Sequence, residues 1–440
     1  MNDVDLDQLS EEDLLLLAEL LGDEYPVTAA QQDMLDCASA HPGSVAAGIH
    51  LAFRIEGAVS VERLRAAHDA LLERHPALRT TFREDAGRWV QAVSADTAFP
   101  LTLRTTDEAD DDVVRAALSR HQTDSFDLRG GGALARAELL MARRGPHLLV
   151  WSFHHAVVDG YSLGLIWDDF AARYNGHVDE PVPTPFGEYA EWQREWLTGP
   201  EAEEQQGRVR AKALPASSPC TRRVSDPDIG SLDIVVPPDL HEAITQLGKE
   251  SATTTHMMLL AVYRHAVAAE GLLDSVAPVW TPLAGRTDPR FSRTVGMFAN
   301  ALPVYGGAHA ESTVDAAMSE VREGCILAME CQSVPRRRLD DLPVQALFAL
   351  QNTASGSGVL AGSTTSLVRP AGVPQVAPIL EFYSPADRLF RTALSFGYRG
   401  GGLAGVLEYD RAVVPDAVAQ AVVARFGELV RRLVNGDVAW

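Results

Sequence analysis

Apolar and polar positions alternate between helical and strand periods along most of the chain. Close to the start, Ser10-Glu11-Glu12-Asp13 precedes Leu14 to Leu17, Leu20 and Leu21 and then Gly22. That order predicts a short helix with Ser10 as its cap, acids in its first turn and glycine at its end. Two uses are open to it: docking a partner protein, or packing on the body as an ordinary terminal helix. From Val27 onward the pattern is mixed α/β. Ile49 to Ile55 reads as a strand, and Ser60 can cap a helix that carries Val61, Leu64, Ala67, Leu71 and Leu72 on one face and ends before Pro76. A strand over Leu134 to Met141 turns around Arg143 to Pro146 into the run Leu148-Leu149-Val150-Trp151-Ser152-Phe153. A run this apolar suits a strand buried on both faces.

The pattern breaks over about 198–230, where few large apolar residues occur, and then resumes. Helices are predicted from Pro238 to Lys249, from about Thr254 to Ala269, and from about Pro415 to Leu433. Glycine-rich loops are expected at Thr353 to Gly372 and Tyr398 to Gly402. The organisation is therefore an acidic helical appendage (1–24), a first lobe (25–197), a connection (198–230) and a second lobe of the same α/β grammar (231–440).

Composition narrows the function classes. The 440 residues are 46% hydrophobic and 22% charged, an ordinary globular balance, and the net charge is −22 from 38 basic and 60 acidic residues. The first basic residue is Arg54, so a basic nucleic-acid footprint is not expected. No run reaches the length of a membrane span and the start lacks a signal peptide's basic region, which makes the expectation a cytoplasmic protein. Cys37, Cys220, Cys325 and Cys331 are scattered without a CxxC or CxxH, so neither a zinc site nor a disulfide framework is suggested.

The densest reactive cluster is His154-His155-Ala156-Val157-Val158-Asp159-Gly160, directly after the buried strand. Strand ends are where α/β proteins bind ligands. Neighbouring strand residues face opposite sides, so only one of His154 and His155 faces a given cavity. A metal would lack a third ligand at usable spacing, and no G-x-S-x-G elbow occurs. An imidazole at a strand end with a carboxylate nearby suits general base work on an amine, hydroxyl or thiol.

HHxxxDG in a chain of this length resembles the condensation domains of nonribosomal peptide synthetases, within the chloramphenicol-acetyltransferase-like superfamily. Six further segments follow in register. Thr28-Ala-Ala-Gln31 looks like the opening S-x-A-Q, with threonine for serine, and Arg74-His75-Pro-Ala-Leu78-Arg79-Thr-Thr-Phe82 matches R-H-x-x-L-R-T-x-F. Tyr189 to Trp192 resembles Y-x-x-W; Ala284-Gly285-Arg286, Gly296 to Pro303 and Phe348 to Asn352 resemble A-G-R, G-x-F-x-N-x-L-P and F-x-L-Q-N. The likeness covers about Tyr25 to Val434. It departs where the family reads H-Q-x-V-P-F-E and this chain has Cys331-Gln332-Ser333-Val334-Pro335-Arg336-Arg337, and Tyr161 stands where tryptophan is frequent.

The resemblance implies two acetyltransferase-like lobes arranged as a V-shaped pseudo-dimer around a central tunnel. An acyl donor thioester on phosphopantetheine, delivered by a carrier protein or as CoA, enters from one face and a nucleophile, free or carrier-bound, from the other. His155 then serves as base or positioning group and His154 as its buried neighbour. Asp159 either pairs with Arg286 to fix the loop or relays charge to the imidazole. The Gly160 N–H supports the oxyanion or the pantetheine arm, and Tyr161, Ser162 and Asn352 line the tunnel. Arg74 and Arg79 read as salt-bridging residues of the first lobe. No tightly held cofactor or metal is implied, and the chain is expected to be free-standing, meeting an acyl or peptidyl carrier in trans. An acidic enzyme would need a basic patch for that carrier; Arg143-Arg144, Arg222-Arg223 and Arg336 to Arg338 are candidates.

The expected activity is acyl or aminoacyl transfer to an amine or hydroxyl, giving an amide or ester in natural-product biosynthesis. The rival expectations are a CoA-dependent acyltransferase, epimerisation of a carrier-bound aminoacyl group, and a non-catalytic recruitment platform.

Overall fold

The computed structural model describes residues 24–40, 47–85, 87–95, 99–124, 126–128, 130–177, 181–213, 221–222, 228–274, 276–306, 313–351, 358–368 and 388–437. The helix expected over 10–22, both ends of the glycine-rich stretch (353–357 and 369–372), Cys220, Arg223 and Asn352 lie outside the described residues.

In the first half the order is β1 (Glu24–Pro26), α1 (Ala29–Ala40), β2 (Gly48–Gly57), α2 (Val61–Arg74), β3 (Thr80–Asp85), β4 (Arg88–Val93), β5 (Leu101–Glu108), α3 (Asp111–Thr123), β6 (Ala135–Arg144), β7 (His147–His154), α4 (Gly160–Tyr174), α5 (Phe186–Trp196) and α6 (Pro200–Arg210). The second half runs β8 (Thr221–Arg222), β9 (Ile229–Val236), α7 (Pro238–Glu250), α8 (Thr255–Ala269), β10 (Val279–Leu283), β11 (Asn300–Val304), α9 (Val314–Glu330), β12 (Ala346–Gln351), β13 (Gly358–Leu360), β14 (Ser363–Val368), β15 (Arg388–Leu389), β16 (Thr392–Arg399), β17 (Gly402–Asp410) and α10 (Asp416–Val434).

Two six-stranded sheets carry the molecule, one ordered β13-β14-β2-β7-β6-β5 and the other β11-β10-β12-β16-β17-β9. Each sheet packs helices onto its own core, as the two-lobed α/β pattern predicts. Side-chain caps open helices α2 and α8, the one at Ser60 as the sequence predicts. Ser60 caps α2 by accepting the Arg63 N–H at 3.2 Å, and Thr254 caps α8 through Met257 N–H at 3.2 Å.

The apolar run of β7 is explained by its two covers. Leu149, Trp151 and Phe153 face the main core with α2 and α4, where Trp151 meets Phe53 edge-on at 5.2 Å. Leu148 and Val150 face the other way, into a smaller cluster with Val114, Ala117 and Leu118 of α3. Antiparallel pairing on both flanks, with Gly48 opposite His154 on β2 and Ala135 opposite Phe153 on β6, delivers the end of β7 to one rim of the sheet.

One crossing between the halves has no counterpart in the linear pattern. Strands β13 and β14 belong to the 231–440 segment, yet β14 pairs with β2 from Ser363↔Gly57 to Val368↔Ala52. Asn175, at the end of α4, holds the hairpin by donating to Val359 O at 2.9 Å and accepting from Ala361 N–H at 2.6 Å. The edge of β2 needs these partners, because an exposed strand edge leaves a row of backbone groups unpaired.

Candidate active site

The strand end places the two histidines differently. His154 N–H donates to Leu134 O at 2.8 Å, and its Nδ1 accepts the Ala156 N–H at 3.0 Å, which leaves the proton on Nε2. Phe126 lies edge-on to this ring at 5.9 Å. His155 is tied by its backbone, N–H to Ala47 O at 2.8 Å. Burial lowers the His154 pKa to about 3, with further lowering from His155. His155 falls to about 4 through burial, opposed by the Asp159 charge and by hydrogen bonds to its own carbonyl and that of Val158. Both rings are therefore neutral at pH 7, and both are 6% exposed.

Asp159 caps α4. Its Oδ1 accepts the Ser162 N–H at 2.7 Å and its Oδ2 accepts the Phe298 N–H at 3.0 Å. Arg286 Nη2 lies 3.3 Å from Oδ1, and both side chains are almost fully buried. The same Nη2 donates to Ser162 Oγ at 2.9 Å, while Nη1 donates to Phe291 O at 2.9 Å and Thr294 O at 2.8 Å. The guanidinium sits between the rings of Phe298 (3.8 Å) and Tyr161 (4.6 Å). A residue from each half thus locks the turn that follows His155.

Ser162, expected on a tunnel wall, is instead a hub of this lock. It is fully buried, and its hydroxyl donates to Gly296 O at 2.9 Å while accepting from Gly296 N–H at 3.1 Å and from Arg286. A serine hydroxyl has one donor and two acceptor sites, and all are used here. Gly160 opens α4, and Tyr161 beside it is half exposed.

The later motif residues pack around the lock. Phe186 and Tyr189 of α5 meet Phe298 at 5.0 and 4.4 Å. Gly296 has no room for a Cβ, which would enter the Phe186 ring, and Gly285 holds φ +66 with the Phe298 carbonyl against it. Asn300 donates through Nδ2 to Gln332 O at 3.1 Å and Val334 O at 2.6 Å, and accepts Arg336 N–H at 3.0 Å. Sequence reasoning left Gln31, Phe298, Asn300 and Gln332 without individual roles; their positions inside the motifs were the available signal.

Among the described residues no cluster of His, Cys, Asp and Glu is arranged to hold a metal ion. Cys325 and Cys331 are buried, and burial raises both thiols, Cys325 to about 12. Among the described residues no helix is long and apolar enough to cross a membrane.

The condensation domain family matches residues 22–354, three quarters of the chain. The chain belongs to that family. Curated relatives of this condensation domain include tyrocidine synthase 3 of Brevibacillus parabrevis, 29% identical over 328 residues that cover 72% of the chain and 5% of the synthase. Surfactin synthase subunit 1 of Bacillus subtilis (strain 168) is 26% identical over 417 residues, covering 89% of the chain and 11% of that subunit. The chain spans only a small part of these relatives. Among solved structures, the condensation domain from Monacolin K polyketide synthase MokA superposes with a TM-score of 0.81 over 95% of this chain and 98% of that one, at 16% identity. The fold is the two-lobed, chloramphenicol-acetyltransferase-like one.

The arginines of this condensation domain differ in their surroundings. Arg336 is buried between Asp33 (2.8 Å) and Asp340 (2.7 Å), and Arg337 lies 3.2 Å from Asp36, so this pair is not the open basic patch suggested by sequence. Arg143 pairs with Asp107 at 3.2 Å on the surface. Arg74 pairs with buried Asp169 of α4 at 2.7 Å. Arg79, expected in a salt bridge, donates instead to the carbonyls of Leu72 and Ser94 at 3.0 and 3.2 Å, closing the turn into β3.

Proposed function

We propose that this condensation domain transfers an acyl or aminoacyl group from a phosphopantetheine thioester on a carrier protein to an amine or hydroxyl, in the cytoplasm, during synthesis of a peptide-like natural product. The observation that carries the proposal is a neutral His155 held at the rim of the first sheet by an intact HHxxxDG turn latched to the second half. As the nucleophile attacks the thioester carbonyl, its N–H or O–H becomes strongly acidic, and the imidazole accepts that proton. Collapse breaks the C–S bond, the new C–N or C–O bond remains, and the departing thiolate takes the proton back. The Gly160 N–H, at the start of α4, is assigned to the developing oxyanion or the pantetheine arm. His154, Asp159 and Arg286 are assigned to support of the turn, and Tyr161 to the path of the substrates.

The test is product formation followed by mass spectrometry, with loaded carriers or acyl-CoA as donors and a panel of amines and alcohols. Product is expected from a loaded carrier, and His155→Ala should lower the rate by about 100-fold or more, the usual range for loss of a general base. Equal product from the variant, or no turnover by the wild type with any donor, would overturn the reading. Turnover with acyl-CoA alone would assign the simpler CoA-dependent reaction.

A further inference from the structure

We propose that Gln31 is a positioning residue for the transfer reaction, carried on α1 as a strut between the His155 turn and the Arg336 turn of the second half. The inference rests on the function proposed above.

Gln31 is fully buried and every polar atom of its side chain is used. Its Oε1 accepts the Thr28 N–H at 2.9 Å while its own N–H donates to Thr28 Oγ1 at 3.2 Å, a reciprocal cap on the start of α1. Its Nε2 donates to Ala156 O at 3.1 Å and to Gln91 Oε1 at 2.9 Å. Gln91 in turn donates to Pro26 O at 2.7 Å, so the orientation of both amides is fixed by the network. Ala156 directly follows His155, and its N–H is already held by His154 Nδ1. Its peptide is therefore gripped at one end by β7 and at the other by α1.

The same helix reaches the second half through Asp33 and Asp36, two and five residues further on. Asp33 meets Arg336 at 2.8 Å and Arg337 at 3.6 Å, and Asp36 meets Arg337 at 3.2 Å. Arg336 N–H donates to Asn300 Oδ1, Asn300 donates to the Gln332 carbonyl, and Gln332 Oε1 accepts the Gly285 N–H at 3.2 Å. The next residue is Arg286, which holds Asp159. The contacts form a closed ring: Ala156 and Asp159, at the two ends of the turn after His155, are both anchored through α1 and the Arg336 turn. The largely buried Arg336–Asp33 pair makes the ring costly to open at that point, while Arg337 and Asp36 meet in a partly exposed position. The pair stands where the resembling family has Phe-Glu, so this anchorage belongs to this chain's own sequence.

Gln31→Glu separates positioning from folding. At pH 8 the carboxylate still accepts the Thr28 N–H and caps α1, but it has no proton to donate to Ala156 O. The expected result is a fall in kcat of about tenfold or more, since a misplacement near 1 Å costs on the order of 100-fold, with KM for donor and acceptor little changed. A substrate-free readout comes from the His155 imidazole resonances in labelled protein, identified by their loss in His155→Gln. They should shift in Gln31→Glu, and also in the apolar pair Asp33→Leu/Arg336→Met, which fills the same space. A kcat within twofold of wild type, or unmoved His155 resonances in Gln31→Glu, would overturn the role of Gln31. Unmoved resonances in the double variant would overturn the strut. If the wild type shows no turnover, the function proposed above fails, while the resonances still decide the positioning claim.

Discussion

Asp159 shows how much one buried carboxylate can hold when its oxygens are shared between backbone and guanidinium. Removing it leaves the Ser162 and Phe298 N–H groups without their acceptor and Arg286 buried without its counter-charge. Asp159→Ala is therefore expected to cost about 3 kcal/mol or more, the scale for breaking one side of a buried pair. The double variant Asp159→Ala/Arg286→Met should recover part of that loss, and denaturant titration of the three proteins checks it. At this scale the sequence offered the candidate residues together, because His154, His155, Asp159 and Gly160 fall within one seven-residue motif. It did not show their partners. Arg286 is 127 residues away and was reached by resemblance alone, Phe298 is 139 away, and Gln31 meets Ala156 across 125. Periodicity carries no information about such separations.

Among elements, those with strong local signals were legible. The Ser60 cap and apolar face of α2, the existence of α8 and the unbroken apolar run of β7 each have a cause within a few residues. The hairpin β13–β14 was not, because nothing within it says which sheet it will join. Glycines mark another limit of local reading. Gly285 looks like any loop glycine, yet its backbone at φ +66 and the adjacent Phe298 carbonyl leave no space for a side chain. Gly285→Ala should lower the melting midpoint and displace Arg286 from Asp159, with a stability cost of about 2 kcal/mol or more. A midpoint equal to that of the wild type would show that the turn relaxes freely. Gly401→Ala serves as a control for positive φ alone, since only side-chain atoms of Pro238 lie nearby, in ordinary contact.

At the scale of the whole molecule, buried histidines contribute to its acid sensitivity. Burial lowers the pKa of His50 and His154 to about 3 and of His68, His155 and His256 to about 4. In the unfolded chain the same groups titrate near 6.5. Between about pH 6.5 and 4 the unfolded state thus binds more protons than the folded one, so stability rises with pH across that window and is lost as pH falls through it. Melting midpoints at constant ionic strength should drop from pH 7 to pH 5, and His68→Gln, which removes one of these groups while keeping a polar side chain, should flatten the slope. A midpoint independent of pH over that range would contradict the neutral, buried state of these rings.

By itself the sequence determined the α/β grammar, the two lobes, the rim position of HHxxxDG and the family likeness, since each depends on local period, capping or contiguous residues. It also left a net charge of −22 and an arginine cluster that looked free to meet an acidic carrier. Only the tertiary structure decided that Arg336 and Arg337 face Asp33 and Asp36, that Ser162 serves the lock, and that a hairpin from the second half completes the first sheet. The reason is physical. A buried charge or open strand edge must find a partner, and which partner is available depends on what folding brings near, not on what lies beside it in the chain.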